Sequence, residues 1–155
     1  MTTIAFDGKT LAVDRAAWKG NGIWSEANKL FRIGMCEDAK DRFMLEGSDE
    51  IVWAACGSFA DFPLIIRWIA TGGEIPDFED GSYGILVHED KAYCLCHNMT
   101  LVPHETYPIS DGCGHEMVLG CMLAGADAVR AIELVASRSS HAIPRIDSYT
   151  IVEEL

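Results

Sequence analysis

The segment TTIAFDGKTLAVD, residues 2–14, decides the fold that we expect for this chain. Two β-prone runs, residues 2–6 and 9–13, flank Asp7-Gly8. A two-residue Asp-Gly connection between such runs is one of the strongest sequence signals for a β-hairpin. The segment therefore predicts a domain that begins with a hairpin, whose first strand starts at the chain terminus itself.

Beyond this hairpin, strand patterns and helix patterns occur in separate blocks. EIVWAAC, residues 50–56, is typical of a buried strand, and Ser58 is a candidate N-cap for a helix that ends at Thr71-Gly72-Gly73. The glycine turn Asp111-Gly112-Cys113-Gly114 is expected to open a helix over residues 115–124. The remaining expectations are loops over 15–27 and 73–82, strands over 29–33, 83–88, 92–96, 100–102 and 148–152, a turn or short helix over 36–41, and a helix over 128–141 capped by Asp127 and stopped by Pro144.

The order of these elements is strands, helix, strands, two helices, strand. Segregated strands and helices with hairpins indicate an α+β fold, with helices laid on mainly antiparallel sheet. The sequence shows no internal repeat, no low-complexity tract and no linker. We therefore expect residues 1–155 to form a single domain.

The composition excludes several classes of protein. Hydrophobic residues make up 49% of the chain and charged residues 23%, a balance that excludes wholesale disorder. The net charge of −12 repels phosphate backbones and anionic lipid, so nucleic-acid and membrane partners are not expected. The first residues have no basic or apolar segment of a secretory signal, and six cysteines in such a chain are expected to be reduced. The prediction is a cytoplasmic protein.

An ordered set of motifs spans nearly the whole chain and resembles the proteasome β-subunit family, and within it the HslV-type peptidases. Thr2-Thr3-Ile4 matches the mature amino terminus of that family, Asp14 its aspartate at the end of the second strand, and Lys29 its lysine strand. The other matches are IVWAACGSFAD (residues 51–61) to the strand that leads into the first long helix, Gly112-Cys113-Gly114 to a Gly-Ser-Gly turn, and YTIVEEL (residues 149–155) to the final strand.

The resemblance implies a four-layer αββα sandwich of the N-terminal-nucleophile hydrolases, mainly antiparallel sheets flanked by helices. It also implies a threonine peptidase in which Thr2, exposed by removal of Met1, is the nucleophile. Methionine aminopeptidases act when the second residue is small, as Thr2 is. An α-amine has a pKa of roughly 7.7–8.0 and suits a general base at neutral pH. Lys29 would lower that pKa, and Asp14 would pair with Lys29.

Further residues complete the expected site, and some depart from the pattern. Backbone N–H groups around Cys56-Gly57-Ser58 are candidate oxyanion donors. Cys113 replaces the family's serine beside the terminal threonine, and a thiol is the poorer hydrogen-bond partner. Ala54 stands where the family has its specificity-pocket glycine, which narrows that pocket. Asp147 is the candidate for the family's C-terminal aspartate. The family usually has Gly after its aspartate, where this chain has Arg15.

The implied partners follow from the same resemblance. Substrates would be unfolded polypeptides or peptides, the chain would form a homo-oligomeric ring, and an ATP-dependent unfoldase is a possible partner; no cofactor is implied. Two alternatives within this fold are a catalytically inactive ring-forming or assembly protein and an amidase acting on a small amide.

Two other chemistries stay open from the residues. Cys94, Cys96, His97 and His104 are zinc-ligand types, although Cys-X-Cys in a strand lacks the spacers of zinc knuckles. Cys113 and His115 are a candidate thiol–imidazole pair. Because the cysteine spacing does not match a zinc knuckle, we predict no metal site.

Overall fold

The computed structural model describes residues 2–18, 24–78, 82–138 and 145–153. Met1 and Pro144, on which two of the expectations depend, lie outside these ranges. Within the described ranges the strands are β1 Thr3–Phe6, β2 Thr10–Asp14, β3 Ala16–Trp18, β4 Trp24–Glu26, β5 Leu30–Gly34, β6 Glu50–Ala55, β7 Ser82–His88, β8 Lys91–Cys96, β9 Leu101–Pro103, β10 Ile109–Gly112 and β11 Ile146–Thr150. The helices are α1 Glu37–Phe43, α2 Asp61–Thr71, α3 His115–Leu123 and α4 Ala128–Ala136.

The N-terminal hairpin forms as the sequence predicts. Strands β1 and β2 pair antiparallel, with Phe6 opposite Leu11. The Asp7 carboxylate accepts hydrogen bonds from the N–H groups of Lys9 and Thr10, so it closes the turn locally. Its other oxygen accepts from the N–H of Ala128 at the start of α4, which ties the hairpin to a helix far along the chain.

Two antiparallel sheets form the centre of the molecule. The first has the strand order β10-β1-β2-β11 and the second the order β5-β6-β7-β8-β9. Apolar side chains of β1 and β2 pack against those of β6, β7 and β8 between the two sheets. Helices α1 and α2 cover the outer face of the five-stranded sheet, and α3 and α4 cover the outer face of the four-stranded sheet. Three cores between four layers confirm the predicted α+β, αββα architecture.

Two strand assignments needed correction. Residues 15–27 are not wholly a loop, because β3 and β4 pair antiparallel. The N–H of Ala27 donates to the carbonyl of Arg15 and continues this pairing by one further hydrogen bond. Three-residue strands leave too little periodicity to detect in the sequence. Strand β10 was also missed. Its Ser-Asp-Gly sequence is poor in strand formers, and pairing with β1 makes it a strand.

Two helix boundaries also differ from the predictions. Ser58 does not cap α2, which begins at Asp61. The residue at the N-cap position is Ala60, which has helical dihedral angles and makes no side-chain cap bond. The backbone carbonyl of Ser58 instead accepts from the N–H of Asp61 in the preceding turn. Helix α4 ends at Ala136, before the predicted end at residue 141. Its predicted cap is confirmed, since the Asp127 carboxylate accepts from the N–H of Arg130.

Candidate active site

The first residues of the chain and the ends of two strands bring three polar residues together. Thr2 precedes β1, Asp14 is the last residue of β2, and Lys29 immediately precedes β5. The Asp14 and Lys29 side chains are fully buried, and Thr2 is 8% exposed. The β1–β2 pairing places Thr2 near Asp14, and Lys29, next to β5 of the other sheet, joins them only because the two sheets pack together.

Lys29 is the centre of this group. Its Nζ donates to Thr2 Oγ1 at 3.0 Å and to Asp14 Oδ1 at 3.1 Å. Asp14 Oδ1 also accepts from the backbone N–H of Thr3 at 2.9 Å. The aspartate therefore holds the ammonium and the peptide that follows Thr2 through the same oxygen.

The electrostatics of Lys29 are set mainly by burial. Burial lowers the pKa of Lys29 below its ordinary value, because the charged form loses its hydration. The charge and hydrogen bond of Asp14 oppose that shift. Lys29 is thus a desolvated cation beside a hydroxyl.

The Gly112-Cys113 turn encloses Thr2 from another side. Gly112 has φ +82°, in the left-handed region that favours glycine, and a side-chain carbon there would collide with the carbonyl oxygen of Thr2. The N–H of Cys113 donates to that same carbonyl at 2.6 Å. In the other direction, the hydroxyl of Thr3 donates to the carbonyl of Cys113 at 2.7 Å. The turn is therefore joined to Thr2 and Thr3 by backbone and side-chain contacts.

A second thiol lies on the inner side of the site. Cys56 Sγ lies 3.9 Å from Asp111 Oδ2. Burial, followed by the charge of Asp111, raises the pKa of Cys56 to about 12, so it is a neutral thiol at physiological pH. Cys113, by contrast, is exposed.

The strand-to-helix turn after β6 carries the candidate oxyanion donors. The N–H of Cys56 donates to the carbonyl of Tyr83, so the donors left for a substrate in this segment are those of Gly57 and Ser58. Gly57 has φ +113° and Ser58 is exposed. An apolar groove of about 460 Å³ adjoins this turn. Its lining is Asn28, Phe31, Phe59, Phe62, Pro63, Ile66, Arg67 and Ala70.

Two predicted residues lie elsewhere. Ala54 is fully buried in the core between the sheets, where it pairs with Leu30 of β5. The Asp147 carboxylate forms an ion pair with the Arg15 guanidinium at 2.7 Å. The structure thus brings Thr2, Asp14, Lys29 and the Cys113 turn together, and places Ala54 in the core and Asp147 on Arg15.

The zinc and thiol–imidazole alternatives have the following geometry. Within the part of the chain that the structure describes, no group of three or more histidine, cysteine or acidic residues is placed to hold a metal ion. The His115 ring, through Nδ1, lies 3.0 Å from the carbonyl of Gly112. None of the helices in the described ranges has the length and apolar character needed to cross a bilayer.

Some residues of the site were missed by sequence reasoning. Thr3 was interpreted as a strand residue, and nothing in the local pattern shows that its hydroxyl reaches Cys113. Asp111 was counted only as part of a turn, and its approach to Cys56 depends on β10, which was not predicted. Gly112 lies in the glycine turn that the sequence predicts, and glycine is the residue that most readily adopts the left-handed conformation.

The architecture matches solved structures of HslV and of BPH. Eukaryotic HslV from Trypanosoma brucei aligns with a TM-score of 0.59 and 17% identity over 96% of this chain and 98% of that chain. The BPH of Thiobacillus denitrificans in complex with epoxomicin aligns with a TM-score of 0.65 and 14% identity over 98% of this chain and 99% of that chain. A further structure of Thiobacillus denitrificans BPH aligns with a TM-score of 0.50 and 12% identity over 99% of this chain and 99% of that chain. No protein-family model and no curated protein matches the sequence.

These alignments define the class of the fold. The chain shares the fold of these HslV and BPH structures over nearly its whole length. The resemblance stated from the sequence motifs is confirmed at that level.

Proposed function

We infer that the chain is a threonine peptidase that cleaves peptide bonds with Thr2 as its nucleophile, after removal of Met1. The single observation that carries this proposal is the buried contact of Lys29 Nζ with Thr2 Oγ1 at 3.0 Å, with Asp14 as the counter-charge at 3.1 Å. A buried ammonium next to a threonine hydroxyl at the chain start has no evident structural need. Its cost is understandable if the cation serves the reaction at Thr2.

In the proposed reaction the free α-amine of Thr2 takes the proton of Oγ1 while Oγ1 attacks the substrate carbonyl carbon. The adjacent Lys29 ammonium lowers the pKa of that amine and keeps it unprotonated at neutral pH. The N–H groups of Gly57 and Ser58 stabilise the oxyanion. The protonated amine then gives its proton to the departing nitrogen, and an ester on Thr2 remains. Water, deprotonated by the same amine, hydrolyses that ester.

The groove beside the Gly57-Ser58 turn supports a preference for apolar side chains in the substrate. It is lined by aromatic rings, among them Phe31 and Phe59, and Phe59 is 38% exposed. An apolar side chain entering this groove would displace water from those rings. Because Ala54, the expected pocket residue, is enclosed in the core, we base the proposed substrate preference on this groove.

A ring assembly is proposed with the same function. The HslV-type fold of the chain supports a homo-oligomeric ring, and such an enclosure would restrict substrates to unfolded chains and peptides. An ATP-dependent unfoldase is the proposed partner, and the cytoplasm the proposed location. Light scattering on the purified protein measures the assembly directly; a monomer at micromolar concentration would contradict the ring.

The test of the peptidase combines mass and activity. Intact mass should lack one methionine, and a panel of fluorogenic peptides should be hydrolysed, fastest with an apolar residue before the scissile bond. Thr2→Ala should lose all activity, whereas Thr2→Ser should keep part of it because the hydroxyl remains. Full activity in Thr2→Ala, or complete retention of Met1 in an active preparation, would show that Thr2 is not the nucleophile.

One observation favours a second candidate, a catalytically inactive ring-forming or assembly protein. Cys113 offers a thiol where the resemblance implies a serine hydroxyl, and a thiol is a weak proton donor and acceptor. Cys113→Ser separates the two. If wild type is inactive and Cys113→Ser hydrolyses peptides, the fold is intact and the natural chain serves assembly; activity in wild type rejects this candidate.

A further inference from the structure

Thr3 lies between the two halves of the Thr2 site. It is fully buried. Its backbone N–H donates to Asp14 Oδ1, on the side of the site that holds Lys29. Its hydroxyl donates to the carbonyl of Cys113, on the opposite side. A single residue therefore contacts both groups of residues that surround Thr2.

The Cys113 turn needs such a contact because it lies beyond the end of the β-ladder. Thr3 is opposite Gly112 in the register of β1 and β10, and β10 ends at Gly112. Cys113 follows in an exposed turn, where backbone segments are held more weakly than in a sheet. Two hydrogen bonds join the turn to the start of β1. Thr3 Oγ1 donates to the Cys113 carbonyl, and the Cys113 N–H donates to the Thr2 carbonyl.

We propose that the Thr3 hydroxyl is a positioning group that fixes the Cys113 turn against Thr2 and so sets the orientation in which Thr2 reacts. The backbone on the C-terminal side of Thr2 is held at two points. The N–H of Cys113 donates to the Thr2 carbonyl, and the N–H of Thr3 donates to Asp14. Loss of the hydroxyl releases the turn carbonyl and lets Cys113 and the Thr2 carbonyl move together. The catalytic consequence rests on the proposed function; the effect on the turn does not.

Two substitutions isolate the hydroxyl from the shape of the side chain. Thr3→Val keeps the branched shape in the buried position and removes the donor. Thr3→Ser keeps the donor and removes a methyl group. For wild type and each variant, the rate of alkylation by iodoacetamide is measured peptide by peptide by mass spectrometry, with the half-buried Cys121 of α3 as the internal reference. In parallel, kcat and KM are measured with the fastest fluorogenic peptide.

The expected result is a change that follows the hydroxyl. Thr3→Val should alter the alkylation rate of Cys113 relative to Cys121 by at least about threefold, since access and environment control thiol reactivity. It should lower kcat by about tenfold with KM within about twofold, because a small displacement of the nucleophile affects the chemical step more than binding. Thr3→Ser should restore the wild-type values of both.

Three outcomes would overturn the proposal: unchanged Cys113 alkylation in Thr3→Val, a kcat loss in Thr3→Ser equal to that in Thr3→Val, or a loss confined to KM. If Thr3→Val cannot be purified folded, Thr3→Ala takes its place against Thr3→Ser with the same expectations. A wild type without peptidase activity would reject the proposed function alone, since the alkylation rates still decide whether the hydroxyl holds the turn.

Discussion

Replacement of Asp14 by asparagine removes one charge from the buried pair at the centre of the site. The substitution keeps the shape of the side chain and an oxygen that accepts from the N–H of Thr3. It removes the negative charge 3.1 Å from Lys29 Nζ, where both side chains are fully buried. We expect Asp14→Asn to lower the free energy of unfolding by about 3–5 kcal/mol near neutral pH, the usual cost of leaving a buried charge without its partner.

A double variant sharpens this prediction. Lys29→Met alone leaves the carboxylate of Asp14 without its cation and should also be costly. Asp14→Asn combined with Lys29→Met leaves neither charge, and apolar replacement of a buried pair ranges from neutral to stabilising. The double variant should therefore lose less stability than either single variant. Such strong non-additivity is expected of side chains in direct contact.

The pH dependence has a defined sign. Burial lowers the pKa of Lys29 in the folded state below 10.5, its ordinary value in the unfolded chain. Between the folded-state pKa and the unfolded-state pKa the unfolded chain binds more protons, so the free energy of unfolding rises with pH. In Asp14→Asn the attraction that raises the pKa of Lys29 is gone, so the pKa falls further and the rise begins at lower pH. The stability difference between wild type and Asp14→Asn should therefore narrow as the pH rises towards 10.5, the ordinary pKa of lysine.

The assay is equilibrium unfolding in guanidinium chloride, followed by the fluorescence of tryptophan, of which Trp53 is fully buried. Measurements at pH 6, 7.5 and 9 on wild type, both single variants and the double variant give the complete cycle. A double variant that loses the sum of the two single losses would refute the coupling. A stability difference that widens as the pH rises would contradict the direction of the Lys29 pKa shift.

The remaining predictions concern the Gly112 turn and the two thiols near it. Gly112→Ala should lower the free energy of unfolding by about 3–5 kcal/mol, because collision with the Thr2 carbonyl adds to left-handed strain. The control Gly125→Ala, with φ +108° and open space around it, should lower it by only about 1–2 kcal/mol. Equal melting temperatures of the two variants would contradict the close approach of Gly112 to Thr2. At pH 8 iodoacetamide should modify exposed Cys113 well before Cys56, whose pKa of about 12 leaves about 10⁻⁴ of it as thiolate, and similar rates in the folded protein would contradict that burial.

Several features could be predicted from the sequence because their signals are local. The β1–β2 hairpin depends on Asp7-Gly8, and the start of α4 on the Asp127 cap; both involve hydrogen bonds over two or three residues. The candidate group Thr2, Asp14 and Lys29 came from motif order and from the resemblance that it supports. Its proximity is observed in the structure, and its catalytic role stays a prediction.

Other features had no local signal. Strand β10 is a strand because β1 lies beside it, although its own residues are poor strand formers. The choice of Ser58 as a helix cap was wrong because α2 begins only at Asp61, and Ala60, the residue before it, makes no side-chain cap bond. Ala54 was expected at a pocket and lies in the core because its strand face is turned towards the other sheet.

The amino-acid sequence by itself thus determined the hairpin, the α+β class and which polar residues stand at strand ends. Only the tertiary structure decided that the Thr3 hydroxyl meets Cys113, 110 positions away, and that Asp147 meets Arg15, 132 positions away. Hairpins and caps arise from residues close in the chain, whose interactions hardly depend on the rest of the fold. Contacts between distant residues depend on which strands pair in the finished sheet, here β1 with β10 and β2 with β11, and that pairing is a property of the complete fold.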